Sequence, residues 1–154
     1  MLQGWLFLLL ALTLNVDFTV WKLIEVTGLM LLASLGLTSL GFLIAWRMES
    51  TQGFHAIMTV FLMPLWLLSG AFFPVPTLTA SSSYLQVALH WMMKCNPLTY
   101  TVAGMHQLLF DRPLSAGLFM PAAGFCWLVT GIAALLMFGA ACRIAGVLSK
   151  GDLL

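Results

Sequence analysis

Ile24–Trp46, IEVTGLMLLASLGLTSLGFLIAW, has one charged side chain, Glu25, at its start and none after it. As an α-helix rising about 1.5 Å per residue it is long enough to cross a hydrocarbon core of roughly 30 Å. It reads as a transmembrane helix. Ser34, Thr38, Gly41 and Ala45 recur in it at helical spacing and share one face. In lipid, where apolar burial gives no drive for association, such a small-residue stripe lets a neighbouring helix approach closely. These four residues are the expected helix-packing face.

The rest of the chain agrees with a membrane setting. Of 154 residues, 62% are hydrophobic and 7% charged, with mean hydropathy +1.04, against roughly a quarter charged in soluble domains. A soluble globule could not hide so much apolar surface, so the length is better read as a count of spans than as one soluble domain. The net charge of +1 points to no nucleic-acid partner and no capture of a charged soluble molecule. The lipid bilayer is the partner implied. Cys95, Cys126 and Cys142 form no CxxC pair and no metal-ligand spacing.

The expected fold is all-α and integral to the membrane: a single transmembrane domain over 1–154, with about four spans at 1–16, 24–46, 54–73 and 118–142. Met1–Val16 lacks the cationic start and cleavage site of a signal peptide. At about 24 Å it falls short of a full crossing, so the chain is expected to lack spans that precede it. Asp17, Trp21, Lys22 and Glu25 mix charge with an interfacial aromatic, as at the headgroups. Arg47–Gly53 is a short polar turn that sets the next span antiparallel to the second. Pro74 and Pro76 are expected to end the third span.

Between the last two spans lie two apolar pieces, Tyr84–Met93 and Leu98–Phe110, separated by Asn96 and Pro97. Each is too short to cross alone. Segment 84–110 is therefore read as a re-entrant or interfacial helical hairpin. Gln86, His90 and Lys94, at i, i+4 and i+8, form a polar stripe expected to face water or a cavity.

Every Asp, Glu, Lys and Arg falls at a span end or in a connection. Ion-coupled carriers need ionisable groups at membrane depth, and these spans offer none. The chain has no phosphate-cradling GxxxxGK[ST], no HExxH and no nucleophile grouped with His and Asp. His55, His90 and His106 are too scattered for a metal site. No catalysis, cofactor or metal is expected, and energy for transport must come from another chain.

MPLWLLSGAFFPV at Met63–Val75, followed by NPLTYTVAGMHQLL at Asn96–Leu109, resembles the carboxy-terminal part of bacterial ABC-2 type transporter permeases. The matching residues are Pro64, Leu68, Ser69, Gly70, Phe73 and Pro74 in the first signature, and Asn96, Pro97, Leu98, Thr99 and Tyr100 in the second. Pro64 should free a carbonyl inside a helix, Ser69 bond a nearby carbonyl, and Gly70 permit close packing. All eleven are expected to shape the fold. Relatives carry an Arg shortly after the second signature, where this chain has Met105 and His106.

The resemblance implies a permease part of an ATP-driven exporter in the bacterial inner membrane. Two such copies, as a homodimer, would form a translocation pathway and pair with separate ABC ATP-binding subunits. It also implies a cytoplasmic carboxy terminus, which positive-charge counting leaves as a tie. The family's elbow helix and ATPase-docking loop precede the stretch represented here, so the chain resembles a fragment or split reading frame. The alternatives are a non-transport membrane scaffold or assembly protein, or an inactive permease fragment.

Overall fold

The computed structural model describes residues 2–11, 19–79, 82–110 and 119–151. Among them the regular structure is helical throughout: α1 (Leu2–Ala11), α2 (Val20–Ala45), α3 (Thr51–Ile57), a π-helical turn (Met58–Leu62), α4 (Met63–Leu67), α5 (Tyr84–Cys95), α6 (Pro97–Leu109) and α7 (Ala123–Gly151). Two helices are long and apolar enough to cross a membrane, Val20–Ala45 and Ala123–Val147. Most of the apolar length of both is exposed, as it would be toward lipid.

The bundle is built from α2, α6 and α7, and small residues set its closest approaches. A Cβ at Gly36 would lie 3.3 Å from the Ala134 Cα, so α2 and α7 meet there almost backbone to backbone. A Cβ at Gly104 would sit 2.9 Å from Leu29 and 3.2 Å from the Cys126 Cβ, which wedges α6 against both partners. Val26, Leu29 and Cys126 are fully buried around that wedge. Thr101 and Thr130 add a buried hydroxyl pair at 3.1 Å between α6 and α7. Ser39 is buried too, its hydroxyl returned to the Leu35 carbonyl at 2.7 Å.

The close face of α2 is thus the one carrying Gly28, Gly36 and Ser39. The expected stripe lies elsewhere on the helix: nothing among the described residues comes within 4 Å of a Cβ placed on Gly41, Thr38 and Ala45 are exposed, and Ser34 is half-buried. The Ser34 hydroxyl bonds the Leu31 carbonyl of its own helix at 3.0 Å. Small residues on a helix mark where close packing is possible, and the partner's position selects which row is used.

The second and third expected spans are joined by a polar turn at 46–50, shorter than the expected Arg47–Gly53 because Thr51–Gly53 already form the first turn of α3. Ser50 caps α3 by accepting from the Gly53 N–H at 3.1 Å. From Thr51 the helix runs through the π turn to Leu67. Pro64 has no N–H to give the carbonyl four residues back, and just before it the ladder opens, the Met63 N–H bonding Met58 five residues back.

Several boundaries differ from expectation. The third helix ends at Leu67 and not at Phe73, because the chain turns at Leu68–Gly70 before Pro74 is reached. The last helix begins at Ala123, after non-helical 119–122, and continues past Cys142 to Gly151. The second begins at Val20. Of the first expected span, Met1 and 12–16 lie outside the described residues, as does Leu118.

Candidate functional site

The site is the joint where the two sequence signatures meet. Helix α4 ends by tightening: the Leu68 N–H bonds the Pro64 carbonyl, and the Ser69 N–H reaches back only three residues, to Trp66. Gly70 then takes φ +86°, the left-handed conformation that glycine adopts without a Cβ penalty. The buried Ser69 hydroxyl donates to the Trp66 carbonyl at 2.6 Å. Phe72 folds back edge-on to Trp66, ring centres 4.6 Å apart. Phe73 and Pro74 are exposed.

A helix end leaves carbonyls without partners, and the second signature supplies them. Asn96 separates α5 from α6, with Pro97 opening α6 at a position where its missing N–H costs nothing. The Asn96 Oδ1 accepts from the Leu98 N–H at 3.0 Å, capping α6, while its Nδ2 donates to the Leu65 carbonyl of α4 at 2.6 Å. The Thr99 hydroxyl donates to the Met93 carbonyl at 2.6 Å and lies 3.3 Å from the Leu68 carbonyl. The Tyr100 hydroxyl donates to the Lys94 carbonyl at 2.9 Å. Asn96, Thr99 and Tyr100 thereby bind the ends of α4 and α5 to the start of α6.

Asn96, Ser69 and Thr99 are all nearly fully buried, and each is satisfied, as a polar group taken from water must be. Beside them a cavity of about 30 Å³ is lined by Ser69, Gly70, Thr99, His106 and Phe119, among others. A second, of similar volume, lies between α2, α6 and α7, where Gly36, Leu65, Leu98 and Thr130 contribute. Leu98, half-buried, therefore faces the bundle, and the Leu68 carbonyl lies at the joint.

The polar stripe of α5 is engaged by the protein. Gln86 Oε1 accepts from the Ser83 N–H at 3.0 Å in a capping box. His90 Nδ1 sits 2.7 Å from the Pro76 carbonyl, tying α5 to the extended chain after the turn. Lys94 Nζ lies 5.0 Å from the Phe119 ring centre and 5.8 Å from that of Trp91. His90 and Lys94 are half-buried and Gln86 exposed, Leu85 and Met92 are exposed on other faces of the helix, and Met93 is buried. The amphipathic pattern of α5 is real, but its polar edge meets residues 76 and 119.

Sequence reasoning missed Thr101, Thr130, Gln107 and Phe119. The Gln107 side-chain N–H donates to the Pro121 carbonyl at 2.7 Å, anchoring the segment before α7. Thr101, Gly104 and Gln107 share helical spacing in α6, a legible signal, whereas Thr130 and Phe119 have no local one. Among the described residues no group of three or more His, Cys, Asp or Glu could hold a metal ion.

The chain matches no curated protein and no solved structure. A protein-family model, described as ABC-2 type transporter, matches residues 1–110, a stretch that contains both signatures and the joint they build. This chain belongs to the ABC-2 type transporter family.

Proposed function

We propose that the chain is the membrane-spanning permease part of an ATP-driven exporter, working with a second copy of itself and with separate ABC ATP-binding subunits that hydrolyse the nucleotide. The observation that carries this reading is the joint. Asn96 ties α4 to the start of α6 through its hydrogen bond to the Leu65 carbonyl, and Thr99 ties α6 to the end of α5, so a displacement of α4 is delivered to α6 and to the bundle it wedges. Alternating access moves such elements as bodies against one another, and a direct link between two of them makes them move together.

On this reading the chain sits in the bacterial inner membrane with its carboxy terminus in the cytoplasm. The helix Thr51–Leu67 crosses together with α2 and α7, and 84–110 dips into the outer leaflet as a helical hairpin. The stripe of Ser34, Thr38, Gly41 and Ala45 then receives a helix from the second copy.

The test is co-expression with an ATP-binding subunit from the gene neighbourhood, followed by purification of the membrane fraction. A stable complex is expected, with an ATPase rate that depends on the permease and falls when Asn96→Ala loosens the joint. A chain that inserts but recruits no ATPase would favour the scaffold or inactive-fragment readings.

A further inference from the structure

Between α1 and α2 lies an open cleft of about 360 Å³, walled by Trp5 on one side and by Leu23, Ile24, Thr27, Gly28 and Leu31 on the other. The five α2 residues share one face of that helix. No polar surface lines the cleft, because the Thr27 hydroxyl donates to the Leu23 carbonyl of its own helix at 2.7 Å. Small-molecule sites of roughly 300–1,000 Å³ normally add a few polar groups to an apolar lining. This one adds none, so its occupant is apolar along the whole length it covers.

The walls hold their places. Behind the α2 wall a Cβ at Gly28 would lie 2.9 Å from the Trp127 ring of α7, and Val26 and Leu29 are fully buried. Helix α1 rests on α2 where the Met30 side chain lies against Gly4. Depth follows from α2: exposed Trp21 and neighbouring Lys22 mark the headgroup level. The cleft begins at Leu23 and runs inward to Leu31, about 12 Å at 1.5 Å per residue, with Glu25 on another face. Space at hydrocarbon depth is not left empty, since its walls would forfeit their contacts.

Size then selects the occupant. A helix about 10 Å across would take up roughly 900 Å³ over that length, more than twice the cleft. A single hydrocarbon chain, about 4 Å across at carbon contact distance, takes up roughly 150 Å³. We propose that the cleft is a lipid-binding site, in which one acyl chain of a bilayer phospholipid lies between Trp5 and α2 with its headgroup at the level of Trp21. The inference rests on α2 being a membrane span and not on the chain's part in transport.

Photolabelling of the full chain in phospholipid nanodiscs tests this. The probe is a phosphatidylcholine with a diazirine midway along one acyl chain, and labelled residues are mapped by mass spectrometry. Label at Trp5, Ile24 and Leu31 is expected to exceed several-fold that at Phe42 and Leu128, which are exposed on α2 and α7 outside the cleft. Thr27→Phe fills the cleft and should bring the excess down to the reference level. Equal labelling of the two sets in the unmodified chain means ordinary contact with the bilayer and overturns the proposal. So does label at the reference residues with none in the cleft, the result expected if a second copy covers it, and so does an excess undiminished in Thr27→Phe. Absence of label from both sets would overturn the membrane placement of α2, and the site with it.

Discussion

The side-chain amide of Asn96 reaches across 31 positions of sequence to donate to the Leu65 carbonyl at 2.6 Å, while its oxygen caps the helix that Asn96 itself precedes. One side chain thus satisfies the end of α4 and the start of α6. Asn96 is 4% exposed, and both bonds are partly buried with it.

Replacing Asn96 separates the two bonds. Asn96→Ala should cost about 1–3 kcal/mol for the partly buried carbonyl left unpaired, with roughly a further 1 kcal/mol for the lost cap. Asn96→Asp keeps the capping oxygen and loses the donor, so it should be destabilised as well. Thermal unfolding in detergent measures both. An Asp variant as stable as the parent would mean that the Leu65 bond contributes nothing.

Gly70 tests the turn. Its φ of +86° penalises any residue with a Cβ by about 1–2 kcal/mol, although there is room, the Thr99 methyl lying 3.9 Å from the Cβ position. Gly70→Ala should lower the unfolding midpoint and Gly70→Asn should lower it less, because asparagine tolerates the left-handed region. Equal midpoints for Gly70→Ala and the parent would show that the turn relaxes.

The two glycine rows of α2 should behave differently. Gly36→Leu must displace the Ala134 backbone, and overpacking of this kind costs typically about 1–3 kcal/mol. At Gly41, by contrast, no atom of the described residues lies within 4 Å of a Cβ. Gly41→Leu should leave detergent stability of the single chain unchanged and instead reduce cross-linking between copies. Loss of stability in Gly41→Leu matching that of Gly36→Leu would contradict the assignment of faces.

Thr101 and Thr130 should be coupled. A double-mutant cycle with Thr101→Val and Thr130→Val should return an interaction of roughly 0.6 kcal/mol, typical of hydrogen bonds between membrane helices. A coupling of zero would mean that the hydroxyls, 3.1 Å apart, are paired only by proximity.

Orientation is read by labelling. In a background without native cysteines, a cysteine at Ser82 should react with an impermeant thiol reagent from outside the cell, and one at Ser149 should react only after the membrane is opened. The opposite pattern would invert the proposed topology.

The helical, membrane-bound character of the chain was legible in sequence because it depends on local chemistry: long uncharged runs, charges confined to their ends, and proline after Asn96. The two signatures were legible as well, together with a disturbed helix ladder at Pro64 and the amphipathic face of α5. What the sequence could not show was where these elements meet. The row of α2 that packs was decided by the position of Ala134 on α7, and four small residues at helical spacing carry no information about that partner. The end of α4 was set by the left-handed turn at Gly70, which forms where Asn96 and Thr99 wait with hydrogen bonds, and not by the more conspicuous Pro74. Gln86, His90 and Lys94 read as a wet stripe since nothing local reveals that Pro76 and Phe119 return to cover His90 and Lys94. Short-range propensity and hydropathy act within a few residues, whereas an orphaned carbonyl acquires its partner only when distant segments pack.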